Sequence, residues 1–225
     1  GVWSIHPDGN NWNPVISAFA TGGAPSGFHF QSQLSDETLI IEEYYNLNNS
    51  GFGTYFKLPP RPPEGAPAFA PAYLGDPRNT LEGYGNRGRF RMPFMPTGMQ
   101  VLTRFTHGAD GPAPSSISRE QVKARTHGGT SYPHAVGKVT HPCGAPDNHL
   151  LTVWSPGPVN HQYNYFPYID SGIYLIKDGK PIDEPGQMRL IKNDPKYNEQ
   201  WPRPLVPYKR IYGVEQPRQL VHRND

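Results

Sequence analysis

The chain has 225 residues, of which 27 are Pro, 24 are Gly and only 35% are hydrophobic. So much proline and glycine excludes a helical protein, while 13 Tyr, 10 Phe and 4 Trp give more core-building material than a disordered chain carries. A formal net charge of +2 without Lys/Arg runs gives no electrostatic footprint for nucleic acid, and no apolar run is long enough to span a membrane as a helix.

The predicted elements are short strands separated by turn residues. Val2–His6 ends in Pro7-Asp8-Gly9-Asn10, a strong turn sequence, and Asn13–Phe19 follows as a second strand. Val2 starts this run with no Met before it and no signal-peptide pattern, as expected of a stretch internal to a larger protein. Phe28–Gln31, Thr38–Tyr45 and Gly53–Leu58 come next, with Leu34-Ser35-Asp36-Glu37 as a polar turn. From Pro59 to about Pro96 the chain is rich in Pro, Gly and Ala and carries five Arg; it reads as an insertion that forms an exposed arm. Met99–Phe105 is then the outer strand of the same sheet.

A similar order returns downstream. Gly137–Pro142, Leu150–Ser155, Gly172–Lys177 and Gln187–Ile191 are strand-like. Ser35–Ile41 parallels Pro146–Thr152, and Val2–Gly9 parallels Ile173–Gly179. An imperfect repeat of a four-strand unit is the signature of propeller blades. The expected fold is therefore all-β, a partial β-propeller of antiparallel four-stranded blades with a long Pro/Gly-rich insertion. Residues 1–19 end one blade, 27–107 form a second with the insertion at 59–96, and 134–193 form a third. The tail 194–225 either begins a fourth or only packs against the third, with Trp201–Tyr212 the segment in question.

Several of these stretches carry a resemblance. His29–Asp36, Glu43–Asn46, Asn49–Gly53, Thr140-His141-Pro142, Ala145–Leu151 and Trp154–Pro158 resemble the propeller region of hydrazine synthase alpha-subunit-like proteins. More distantly, the strand-turn pattern is similar to TolB-like and WD40-like bacterial propellers. The resemblance implies a scaffold with a periplasmic or extracellular address. In that family the chemistry takes place at c-type haems outside the propeller, attached through C-x-x-C-H. With Cys143 alone this chain has no such motif, so no cofactor is expected within it, and a haem only in domains outside it.

Nine His are the most suggestive chemical feature. In a propeller the innermost strand of each blade lines a central channel, so His29 and Gln31 from one blade and His134 and His141 from another are expected to converge there. His29, His134 and His141 are the candidate metal ligands, since imidazole suits Zn, Cu, Fe or Ni. Their spacing fits no closed zinc pattern, and the alternative is that they hydrogen-bond turns and strands. Tyr163 and Tyr165, with neighbouring Asn and Gln, suit sugar or peptide binding, or else cap one propeller face. Glu42 and Glu43 point to opposite faces of a strand and cannot form one catalytic dyad; one is expected in solvent and the other in a structural hydrogen bond. Gly83–Gly88 has the letters G-x-G-x-x-G, but no strand precedes it and no helix follows. The leading expectation is a non-catalytic scaffold or interaction module whose partners are other domains or subunits of its parent protein. The rivals are a propeller-type lyase or glycosidase with His, Tyr and Glu at the channel mouth, and a carbohydrate- or peptide-binding propeller.

Overall fold

A computed structural model describes residues 1–6, 8–16, 20–21, 24–45, 52–69, 96–106, 137–156, 170–216 and 218. It contains eleven strands among those residues: β1 (Val2–Ser4), β2 (Asn13–Ile16), β3 (Ala20–Thr21), β4 (Ala24–Gln33), β5 (Leu39–Tyr45), β6 (Thr54–Leu58), β7 (Gln100–Val101), β8 (Lys138–Ala145), β9 (His149–Ser155), β10 (Gly172–Ile176) and β11 (Arg189–Lys192), with one short helix, α1 (Tyr208–Tyr212). They form three antiparallel sheets in chain order: β1-β2, then β3-β4-β5-β6-β7, then β8-β9-β10-β11. The expected all-β class is what the chain adopts. Among the described residues the sheets do not close into a ring.

The two larger sheets repeat each other in detail. In β4–β5, Phe30 and Gln31 stand opposite Ile41 alone, because the register shifts between His29 and Ser32. In β8–β9, His141 and Pro142 stand opposite Thr152 alone, with the same shift between Thr140 and Cys143. Each is a bulge, two residues against one, and each is entered through a positive φ, 45° at Phe30 and 50° at His141. Pro142 has no N–H to give the ladder, which suits it to a bulge. The turns that follow also match, with positive φ at Glu37 in one and at Asp147 and Asn148 in the other. The hairpins β1–β2 and β10–β11 share a third device, a register shift between Val2 and Trp3 and between Ile173 and Tyr174.

The sheets pack face to face. Strand alternation turns Phe28, Ile41, Phe56 and Val101 toward Val2 and Ile16 of the first sheet, forming one core. The opposite face of the second sheet offers Ile40 and Tyr55 to Val139, Leu150, Trp154 and Ile176 of the third, forming another. The inner strands β4 and β8 meet at a common edge, where the Gly144 N–H donates to the Ser32 hydroxyl at 2.8 Å and the Ser35 hydroxyl donates to the Ala145 carbonyl at 3.3 Å. A Cβ at Gly144 would run into the Gln33 carbonyl, so the approach of β4 and β8 requires glycine there.

Three sequence expectations need refinement. The outer strand of the second sheet is the two-residue β7 in place of Met99–Phe105. Beyond it the Thr103 hydroxyl accepts from the Tyr55 N–H at 3.1 Å, and Thr103 bridges in parallel to Ile182 in the connection between β10 and β11. The insertion closes at its base, where Phe69 bridges Pro96 and the Thr97 N–H donates to the Ala68 carbonyl at 3.1 Å; residues 70–95 lie outside the described residues. The tail forms no strand within 193–216. Pro202, Pro204 and Pro207 deny it ladder donors, and it runs extended into α1, which Gly213 ends in the left-handed conformation at φ 73°.

Candidate functional site

The polar groups of the molecule gather along the seam between the second and third sheets. His29, Glu42 and Tyr55 stand opposite one another on β4, β5 and β6, and so share one face. Tyr55 is fully buried, and its hydroxyl is hydrogen-bonded to that of Thr152 on β9 at 2.8 Å. Burial pushes this phenol well above its usual range. Glu42 and Glu43 are both fully buried, which corrects the expectation that one of them faces solvent. The reason is the stacking: β5 is central in a sheet covered on both faces, so neither side of the strand is wet.

Lys138 of β8 is buried in the same seam. Burial raises the Glu42 carboxyl well above the usual carboxylate range, and Glu43 adds to this, while the Thr140 hydroxyl, the His141 N–H and Lys138 oppose it. Burial also brings the Lys138 ammonium down to about 7, against the pull of Glu43 and Glu42. Two carboxyls and an amine are thus held between sheets, where buried charge persists only if it is compensated. Lys138 was not foreseen from sequence. The signal that the repeat did carry was for the burial of Glu42 and Glu43, whose positions Val153 and Trp154 occupy in the following unit.

At the inner edge the two bulges aim Phe30 and His141 at each other, with ring centroids 4.5 Å apart. Trp201 from the tail closes over both, 4.0 Å from His141 and 5.3 Å from Phe30. Burial lowers the His141 imidazole to about 4, with the Arg203 guanidinium contributing. His29 is exposed, touches Phe30 edge-on at 5.5 Å, and is lowered by its partial burial. No protein-family model, curated protein or solved structure matches this chain.

Of the residues expected to converge, His29 and His141 both meet Phe30, and Gln31 lines a cleft beside them. His134, Tyr163 and Tyr165 lie outside the described residues. Among the described residues no three His, Cys, Asp or Glu side chains come together as a metal site. Phe30 and Trp201, themselves 5.3 Å apart, both pack tilted against the His141 ring. The cleft has a volume of about 490 Å³ and lies between the β4 and β8 edges and the tail. Its tail wall, Arg203 to Tyr212, was likewise not foreseen. The signal available was Trp201-Pro202-Arg203-Pro204, an aromatic and a cation in a stretch whose prolines preclude a strand. No helix among the described residues is long and apolar enough to cross a membrane.

Proposed function

We propose that the chain is a run of successive propeller blades that acts as a scaffold and interaction module of a larger periplasmic or secreted protein, of the kind the resemblance to hydrazine synthase alpha-subunit-like propellers implies. The observation that carries this reading is the stack of three consecutive antiparallel sheets, with the inner strands β4 and β8 side by side and the same bulge in each. Consecutive meandering sheets packed face to face around a shared inner edge are how propeller blades are arranged.

The interaction role follows from the far side of the third sheet. The register turns Leu151, Ile173 and Leu175 away from the second sheet, and each is only partly buried. Leu190 and Ile191 on the edge strand are 54% and 52% exposed. In a ring, the next blade covers such a face; where none is present, a partner domain or another subunit does. Sedimentation velocity over a wide concentration range tests the reading. The chain should self-associate, and Leu175→Glu should reduce association while leaving the far-ultraviolet circular dichroism spectrum unchanged. A monodisperse monomer at every concentration, with or without the substitution, would count against it.

A further inference from the structure

The cleft at the inner edge has the chemistry of a ligand site. Its 490 Å³ falls in the range typical of pockets for small organic molecules. One wall is the β4 and β8 edge, with the amides of Gln31 and Gln33 and the thiol of Cys143; the other is the tail. Among the described residues of the lining Arg203 is the single charged side chain, and none is a carboxylate. The guanidinium is positioned by two contacts, a donation from Nη1 to the Pro202 carbonyl at 3.1 Å and an approach to 5.9 Å from the Trp201 ring centroid.

No described carboxylate pairs with Arg203, whereas the acids nearby already have partners. Asp147 accepts two hydrogen bonds of 3.0 Å from Arg210, and Glu215 accepts one of 2.7 Å from Lys209. Among the described residues, therefore, the positive charge of the cleft has no carboxylate partner, and its complement is an anion. One guanidinium matches one negative charge. A phosphomonoester, with nearly two negative charges, calls for more positive charge than one guanidinium supplies.

The rest of the lining sets the body of the ligand. Tyr208 and Tyr212, one helical turn apart on α1, have ring centroids 4.5 Å from each other. With Ile211, Pro142 and Pro204 they give the cleft broad apolar walls. We propose that this cleft binds a small monocarboxylate with a planar apolar body, its carboxylate held by Arg203 and its body lying against Tyr208 and Tyr212. The site rests on the cleft's own lining and does not depend on how many sheets complete a ring.

Cys143 is the only cysteine of the chain, so its alkylation reports on this cleft alone. The experiment measures the rate of Cys143 alkylation by iodoacetamide with increasing phenylacetate, phenylacetamide or inorganic phosphate, read by intact-protein mass. Phenylacetate should slow the reaction saturably, by about threefold or more, and the other two should not. Arg203→Gln should alkylate at the unprotected rate whether or not phenylacetate is present. Equal protection by phenylacetamide would overturn the anion assignment, equal protection by phosphate the carboxylate assignment, and no protection by phenylacetate the site itself. Persistent protection of Arg203→Gln would remove Arg203 from it. If that substitution disturbs the Trp201 stack, the comparison of the carboxylate with its amide on the unaltered protein decides alone.

Discussion

Lys138 offers the most informative perturbation, because burial in the seam makes the stability of the whole protein depend on pH. Its ammonium titrates at about 7 when folded, against 10.5 for the free side chain. Between those values the unfolded chain binds more protons than the folded one, so stability must rise with pH in that window. Integrating the linkage from pH 7 to 9.5 with these two values gives a gain of about 3 kcal/mol, since each tenfold difference in proton affinity is worth about 1.4 kcal/mol. Stopping at 9.5 keeps clear of tyrosine ionisation, which acts in the opposite sense, because burial holds the Tyr55 phenol well above its usual range. Lys138→Met removes the titrating group and with it the gain. Urea unfolding of both proteins at half-unit pH steps measures the difference directly. The wild type should gain about 3 kcal/mol relative to the variant between pH 7 and 9.5. Parallel stability curves would mean that Lys138 is solvated in the folded protein, and the account of the seam would fail.

Three further outcomes are expected. Tyr55→Phe deletes the inter-sheet hydrogen bond to Thr152 and should cost about 1 kcal/mol in urea unfolding; no loss would show that the contact does not join the sheets. Gly144→Val forces a side chain into the Gln33 carbonyl and should destabilise the protein by roughly 1–3 kcal/mol in urea unfolding; wild-type stability would refute the close approach of β4 and β8. Replacing residues 70–95 by a short Gly/Ser linker preserves the β6–β7 pairing and the Phe69–Pro96 bridge. Shortening a loop changes closure entropy by only about 0.6 kcal/mol per halving, so the melting temperature should stay nearly constant, and a large drop would mean that the excised residues fill the core.

The order of the strands was legible because the turns announce themselves. Asp36 and Asp147 sit at the same place in two units, and the alternating apolar residues after them turn opposite ways into two cores. The environment of Glu42 and Glu43 was not legible from one strand alone, because period-two alternation assumes that one face meets water. In a stacked sheet both faces are dry, and only comparison with Val153 and Trp154 in the next unit indicates it. Met99–Phe105 looked like a full strand, but the hydroxyl of Thr103 takes the Tyr55 amide that a longer ladder would have used. His141 was legible as an inner-strand residue. What it touches was not, since the Trp201 that covers it comes from sixty residues further on, across a tail whose path depends on prolines and on α1.

The central claim, that the second and third sheets stack in sequence around a shared inner edge, is tested most directly by nuclear Overhauser contacts in protein with labelled aromatic and threonine side chains. Cross-peaks should join the Phe30 ring to the His141 imidazole, whose centroids are 4.5 Å apart, and the Tyr55 ring to the Thr152 methyl group, since their hydroxyls lie 2.8 Å apart. Intact contacts within β4–β5 and β8–β9 with neither inter-sheet cross-peak would leave two sheets that fold but do not stack, and would contradict the account.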